Sequence, residues 1–444
     1  MRNEFKVTVA IAIPLILSNL TQIAYSLIDT AMIGVLGYKE LAAASLVSNV
    51  IAIPMVIGMG LMMAITPLVA IASGQKNISK SSHLLYNGCG LSLIAGVALA
   101  LIVHVIAYFL IDMGQDIAVA VLAKSYLIIM GYSLIPMMVF IACKHFSDGL
   151  QFTKTSMVLS LISLPLNAFL CWIFIYGKLG IKPMGVDGAG LATLISRLLL
   201  AIAMIIVVFK HNVYITYRLN KKQNWYFSKS TFKEIFAIGI PSSLQFCMEA
   251  GAFSISGIMV GWLGAVQQAA HQIALNCASA TFMVALGFSL AGSIRVSNAY
   301  GRADLQSIFS IGKSTAYTGL IYGTIAGLLL ILLGQYLPEI FSSDKKVVSL
   351  SASLLIFAAI FQISDATQAI GVGLCRGVKD VIRPTIYVAL AYWIVGIPMG
   401  YLLAFHYQMG AAGIWIGLVI GLTISSILLN FRFFKNIKLL SLSK

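Results

Sequence analysis

Long apolar runs separated by short polar segments form the dominant pattern along this chain. A helix that crosses a lipid bilayer needs about 20 consecutive apolar residues, and the chain offers about twelve runs of that length. They lie near residues 7–36, 42–72, 84–111, 118–143, 156–176, 186–209, 232–262, 269–299, 309–337, 347–375, 385–405 and 411–434. We therefore predict an all-α integral membrane protein with about twelve transmembrane helices.

Composition and charge strengthen this prediction. Only 10% of the residues are charged, against about 25% in soluble domains. The net charge is +15, and the 29 basic residues are distributed unequally between the two sides of the membrane that the predicted helices define. One side has most of them. The other side has six, which are Lys39, Lys124, Lys178, Lys182, Lys345 and Lys346. By the positive-inside rule, we expect both termini in the cytoplasm, a multi-pass protein of the cell (inner) membrane, and no nucleic-acid partner.

The chain also contains an internal repeat. Residues 14–74 align without a gap on residues 241–301, an offset of 227. The matches that are most informative in an apolar sequence are Pro14/Pro241, Gly34/Gly261, Gly37/Gly264, Asn49/Asn276 and Gly60/Gly287. We predict two six-helix lobes, residues 1–220 and 221–444, related by a pseudo-twofold axis along the membrane normal, with substrate bound near the midplane between them.

Three acids lie inside the predicted helices: Asp29, Glu249 and Asp365. A charge at the bilayer centre costs at least about 2.5–3.5 kcal/mol, so an intramembrane acid indicates a functional site by default. Helical spacing places polar neighbours on the same face as each acid, namely Asn19, Gln22 and Ser26 with Asp29, Gln245 with Glu249, and Gln368 with Asp365. These stripes are also typical of hydrogen-bonded seams between helices, so a structural role is the alternative.

Several motifs resemble the multidrug and toxic compound extrusion (MATE) family, and most closely its NorM-like branch. They are the stretch from Pro14 to Gly37 with Gln22 and Asp29, Ala269-Ala270-His271-Gln272 with Asn276, Asp365-Ala366-Thr367-Gln368 before Gly373, Arg376 and Gly377, and Asn167 in the fifth helix. The resemblance implies that Asp29, Glu249 and Asp365 bind cations and substrate, and that Asn167 lies close to Asp29. One turn after Asn167, family members often have an acid or amide where this chain has Cys171, so we expect a thinner network between helices one and five.

The function we infer is secondary antiport: export of organic cations or drugs in exchange for inward Na⁺ or H⁺ by alternating access. Na⁺ would bind at Asp365 and Glu249, and no cofactor is expected. We expect the chain to work as a monomer in the bilayer, with small cationic molecules as its partners. The sequence has no phosphate-binding G-x-x-x-x-G-K-[ST] loop, so we do not expect ATP to drive transport. It has no D-D-x-x-D and no H-E-x-x-H motif, so an enzyme is not expected. The alternative is a flippase or exporter of a lipid-linked or other endogenous metabolite.

Overall fold

Twelve helices in the structure are long and apolar enough to cross a membrane. The structure, a computed structural model, describes residues 2–114, 116–217 and 227–442. Within those residues the membrane-length helices are Asn3–Gly34 (α1), Tyr38–Gly74 (α2), Ile78–Phe109 (α3), Ile117–Gly149 (α4), Thr153–Tyr176 (α5), Gly185–Lys210 (α6), Lys229–Gly261 (α7), Ala265–Gly301 (α8), Leu305–Leu332 (α9), Lys345–Gly377 (α10), Ile382–His406 (α11) and Ala411–Leu439 (α12). The predicted all-α membrane fold is confirmed.

Several helices begin earlier than their apolar runs, because their first turns are polar. Side-chain oxygens of Asn77, Asp116, Asp304 and Asp344 accept hydrogen bonds from backbone N–H groups at the starts of α3, α4, α9 and α10, at 2.8–2.9 Å. Such caps satisfy donors that the helix leaves free. At α9, hydrogen bonds from the Ser307 hydroxyl and backbone N–H hold the pKa of Asp304 below its usual range. Hydropathy alone misses these starts.

Three of the membrane-length segments are interrupted. Both α2 and α4 consist of two helices, Tyr38–Met62 with Ile65–Gly74 and Ile117–Tyr132 with Leu134–Gly149. Within α11, Leu390–Gly396 and Leu402–His406 are π-helical. Short helices also occur at Leu110–Met113, Asn212–Tyr217 and Tyr336–Phe341. Because π-helical turns are rare and frequently occur at functional sites, α11 is of particular interest.

The internal repeat is visible in the local backbone. Lys76 and Ala303 are 227 residues apart, and both are non-glycine residues with positive φ, 55° and 56°. Each directly precedes a helix cap, Asn77 or Asp304, and these caps are also separated by the repeat offset. The turns between α2 and α3 and between α8 and α9 therefore have the same conformation.

Two repeat-related glycines allow close helix contacts. A Cβ on Gly60 in α2 would lie 2.5 Å from the Cα of Ser243 in α7. A Cβ on Gly287 in α8 would lie 3.1 Å from the backbone N of Ile16 in α1. Ile16 and Ser243 are themselves 227 residues apart. The glycine matches in the sequence thus correspond to matching helix crossings.

The chain divides into two compact units whose limits fall inside helices. One unit comprises Met1–Ile16 and Leu244–Lys444, and the other comprises Leu17–Ser243. The first part of α1 therefore belongs to the unit that contains most of the predicted lobe 221–444. The first part of α7 belongs to the unit that contains most of the predicted lobe 1–220. The predicted boundary itself lies in residues 218–226, outside the described residues. That lobe division stays a prediction.

Candidate functional site

In the unit Leu17–Ser243, Asp29 is the centre of a polar cluster formed by three helices. The Thr193 hydroxyl of α6 donates to Asp29 Oδ2 at 3.1 Å, and the Cys171 thiol of α5 donates to Oδ1 at 3.4 Å. Both donors are uncharged. Among the described residues, the Asp29 carboxylate is therefore oriented by hydrogen bonds and is not within 4.0 Å of a basic side chain.

Asn167 joins the Asp29 cluster through Thr193. Its amide donates to the Thr193 hydroxyl at 3.4 Å, while its Oδ1 is buried and has no hydrogen-bond partner among the described residues. The structure thus brings the predicted Asn167 into the Asp29 network. It also shows that Cys171 keeps a contact with Asp29, although a thiol is a weaker donor than an amide. Sequence reasoning did not identify Thr193.

Asp29 opens onto a cavity of about 310 Å³ within the same unit. Gln22, Tyr25, Ser26 and Asp29 from α1 line one side, and the Tyr25 hydroxyl donates to the Ser163 carbonyl at 2.9 Å. The predicted polar stripe of α1 therefore faces a cavity over most of its length. The remaining member, Asn19, is 4% exposed.

Arg197 of α6 places a permanent cation in the cavity that contains Asp29. Its Nη1 donates to the Ser133 hydroxyl at 2.7 Å. Among the described residues, Arg197 and Asp29 do not form an ion pair within 4.0 Å. The cavity therefore presents one acid and one base at separate positions, so that both charges are available to a bound molecule.

In the unit that contains Leu244–Lys444, Glu249 accepts hydrogen bonds from two amides. Gln245 Nε2, one turn earlier on α7, donates to Glu249 Oε1 at 3.1 Å, and Gln368 Nε2 of α10 donates to the same oxygen at 2.8 Å. The Tyr392 hydroxyl of α11 then donates to Gln368 Oε1 at 3.3 Å. The predicted Glu249, Gln245 and Gln368 are thus brought together, and Tyr392 extends their network to a third helix.

The π-helical turn of α11 positions the residues that α11 contributes to the Glu249 network. It carries Tyr392 and, next to it, Trp393, whose indole N–H donates to the Met248 carbonyl at 3.2 Å. The turn therefore binds α7 beside Glu249 as well as contacting Gln368. No pattern in the apolar run indicated a π-helical turn here, and Tyr392 was not among the predicted site residues.

Asp365 is buried in the same region, with only 4% of its surface exposed. It precedes Gln368, which donates to Glu249, by about one helical turn on α10. Two nearby carboxylates with amide and phenol oxygens form a donor set suited to a hard cation or a proton. Among the described residues, no group of three or more His, Cys, Asp or Glu side chains could hold a metal ion. A Na⁺ ion here would therefore require neutral oxygen ligands.

Another acid, Asp148, lies near the end of α4, beyond the predicted apolar run of residues 118–143. It is 1% exposed and accepts a hydrogen bond from the Ser156 hydroxyl at 2.9 Å. Lys144, one turn earlier on α4, is also buried, with 5% of its surface exposed. Lys144 and Asp148 are four residues apart on α4, so the helix places these opposite charges on one face.

Comparison with known proteins identifies the family. The family model MatE matches residues 14–173 and again residues 241–402, so that the two matches begin 227 residues apart. The chain belongs to the MATE family. MATE proteins are transporters, so this is a multi-pass membrane transporter and not an enzyme.

Curated relatives are similar over nearly the whole chain. A probable multidrug resistance protein NorM of Mesorhizobium japonicum is 32% identical over 98% of this chain and 94% of its own length. The multidrug resistance protein NorM of Aliivibrio fischeri is 30% identical over 96% of this chain and 93% of its own length. These relatives support the resemblance to the NorM-like branch.

Solved MATE structures have the same fold. A eukaryotic MATE transporter superposes with a TM-score of 0.88 at 23% identity, covering 99% of this chain and 98% of its own. An outward-facing multidrug resistance MATE transporter gives a TM-score of 0.90 at 20% identity, with 99% and 97% covered. At these identities, the likeness establishes the fold of the chain.

Proposed function

We propose that this MATE protein exports amphipathic organic cations in exchange for inward Na⁺ or H⁺ by alternating access, from the cell (inner) membrane and with both termini in the cytoplasm. The observation that carries the proposal is the Asp29 cavity. It combines a carboxylate that has only neutral hydrogen-bond donors with a volume of about 310 Å³. A small organic cation, or a proton, is the partner that such a carboxylate lacks.

The pair Glu249 and Asp365 supplies a second cation site in this proposal. Repulsion between the two carboxylates makes binding of a shared cation favourable. The Gln245 and Gln368 amides hold Glu249 in one orientation, since both donate to the same oxygen. We assign the coupling ion to this pair, because the Asp29 cavity already offers space for a larger cation.

The energetics permit this exchange. One elementary charge that moves through 100 mV releases about 2.3 kcal/mol. One unit of pH difference adds about 1.36 kcal/mol per proton. Together they support a concentration gradient of roughly a few hundredfold for one proton exchanged against a neutral load.

Arg197 favours one alternative load. A guanidinium in the Asp29 cavity is suited to a carboxylate or phosphate group, as a lipid-linked or other endogenous metabolite would carry. In a solved relative from Pyrococcus furiosus, the reverse polarity of the binding pocket suggests a different function for that transporter. In this chain the cavity holds both charges, and we prefer a cationic load because the hydrogen-bond donors to Asp29 are uncharged.

Transport in proteoliposomes tests the proposal. Purified protein is reconstituted, and a Na⁺ gradient and a proton gradient are imposed in turn while movement of a cationic dye is followed. We expect at least one gradient, applied alone, to drive the dye. An anionic dye of similar size serves as the comparison.

Two results would contradict the proposal. If neither gradient moves the cationic dye above protein-free liposomes, cation antiport is wrong. If the anionic dye moves instead, and Arg197→Gln abolishes this movement, the metabolite exporter becomes the better description.

A further inference from the structure

A second large cavity lies in a groove between α9, α10 and α12. It has a volume of about 660 Å³ and is lined by Lys313, Tyr317 and Leu320 of α9, with residues of α10 and α12 opposite. A neighbouring cavity of about 840 Å³ shares Phe309 and Phe434 with it and continues to the end of α12. We call the two together the α9–α12 groove. All of its lining residues belong to one compact unit.

The walls of the α9–α12 groove are apolar and open. Phe309, Tyr317, Leu320, Ile427 and Phe431 each expose 46–66% of their surface. Exposed apolar side chains of this size on a membrane-length helix are suited to lipid acyl chains. A water-soluble ligand would gain little from them.

The charges of the groove all have one sign. Lys313, Lys435 and Lys438 line it, and none of its lining residues is an acid. Asp380, just after α10, is bound to Arg432 of α12 at 2.6 Å and accepts from the Asn436 amide. The groove is thus electrostatically complementary to an anion.

Lys313 is the lining residue at which an anion in the groove would bind. It lies eight residues after the first residue of α9, about 12 Å along the helix axis. Its side chain is exposed, and no carboxylate pairs with it in the described part of the chain. A lysine at this depth extends along the apolar surface toward the headgroup region, where it needs an anionic partner.

The floor of the groove is polar but largely satisfied. Ser364 and Thr423 share a hydrogen bond of 2.7 Å, and Ser426 donates to Thr367 at 2.7 Å. Asn430 uses its amide N–H groups on two backbone carbonyls, while its Oδ1 is buried without a partner in the described residues. Lys313, which lies beside this floor, is therefore the group that selects the headgroup.

We propose that the α9–α12 groove is a binding site for one anionic phospholipid, with its phosphate at Lys313 and its headgroup reaching toward Lys435. Its acyl chains lie on Phe309, Leu320 and Ile427. Basic pockets between transmembrane helices recognise anionic headgroups in this way. The groove opens where α9 begins and α12 ends, the side on which both termini are predicted.

Native mass spectrometry of the full-length protein in detergent tests the site. The protein is titrated with dioleoyl phosphatidylglycerol and, separately, with dioleoyl phosphatidylethanolamine, which has the same chains. We expect wild type to retain the anionic lipid preferentially. Lys313→Gln should weaken its binding about fivefold, since one lysine near a headgroup contributes about that factor.

Lys210→Gln is the matched control, because Lys210 is an exposed lysine in the last turn of α6, outside the groove. We expect this variant to bind both lipids as wild type does, and size-exclusion profiles check that each variant is folded. The proposal is overturned if Lys313→Gln retains phosphatidylglycerol like wild type, or if Lys210→Gln loses it equally. Full competition by soluble glycerol phosphate would also overturn it, since the site would then bind a free anion.

Discussion

At the residue scale, the carboxylates of Asp29 and Glu249 accept hydrogen bonds in different arrangements. Asp29 receives one hydroxyl and one thiol on separate oxygens, whereas Glu249 receives two amides on a single oxygen. Glu249→Gln keeps an oxygen that can accept both of its bonds, whereas Asp29→Asn keeps one acceptor oxygen for only one of its two donors. Charge and hydrogen bonding are therefore separable at Glu249, and at Asp29 the variant loses one hydrogen bond together with the charge.

Amide variants of the three acids test the role of that charge. We expect Asp29→Asn, Glu249→Gln and Asp365→Asn each to slow dye transport about tenfold or more, which corresponds to about 1.4 kcal/mol, because the coupling ion and the substrate lose their counter-charge. The measurement is gradient-driven transport in proteoliposomes. Asp29→Glu should recover part of the activity that Asp29→Asn loses.

Asp344→Asn is the control for these variants. Asp344 caps α10 by accepting from the Lys346 backbone N–H, and asparagine also caps helices well. This variant should transport like wild type despite the same loss of charge. Wild-type transport by all three amide variants would instead make the buried acids structural.

At the scale of helices, the close crossings depend on glycine. A side chain on Gly60 would meet backbone atoms of Ser243, and a backbone cannot move aside as easily as a side chain can. The Ser243 hydroxyl also donates to the Ile57 carbonyl at 2.8 Å, which holds α7 against α2. The crossing therefore has no space for one additional methyl group.

Gly60→Ala should destabilise the protein by about 1–3 kcal/mol, the usual cost of overpacking a tight interface. Thermal unfolding can be followed by labelling of the chain's six cysteines, and we expect a lower midpoint temperature. Gly257→Ala is the comparison, because its Cβ would meet only His271 Nε2 at 3.9 Å. That change should be neutral or stabilising, and an equal loss in both variants would refute the packing argument.

The sequence contains enough information for the helices but not for all of their partners. The length of the apolar runs predicts the twelve spans, and the glycines that match at one fixed offset predict the repeat. Both signals can be read from the types of residue along the chain. Thr193 and Tyr392 escaped notice because each is a single polar residue whose partner is far away in the chain. Asp29 and Thr193 are 164 residues apart, and no periodicity encodes that meeting. Asp148 was missed because its burial arises from packing at a helix end.

At the scale of the whole molecule, the distribution of lysine and arginine predicts orientation. Lys154 at the start of α5 and Lys182 in the loop after it are both exposed, and a single membrane crossing separates them. The positive-inside rule assigns Lys154 to the cytoplasm and Lys182 to the outside. This assignment can be tested on intact cells.

A membrane-impermeant maleimide should label Lys182→Cys in intact cells, and it should label Lys154→Cys only after permeabilisation. Unmodified protein gives the background from the native cysteines. The reverse labelling pattern would place both termini outside the cytoplasm and contradict the proposed orientation.

The compact units meet along the chain at Ile16/Leu17 in α1 and at Ser243/Leu244 in α7, and these positions show how the two halves of the duplicated chain are connected. Each six-helix half contributes the first part of its leading helix to the unit built by the other half. This connectivity is the one that a domain-swapped dimer would have if its two copies were joined in a single chain. A chain severed between residues 217 and 229 would leave two fragments, neither of which contains all the segments of a complete unit. Each fragment would need the other to complete its fold.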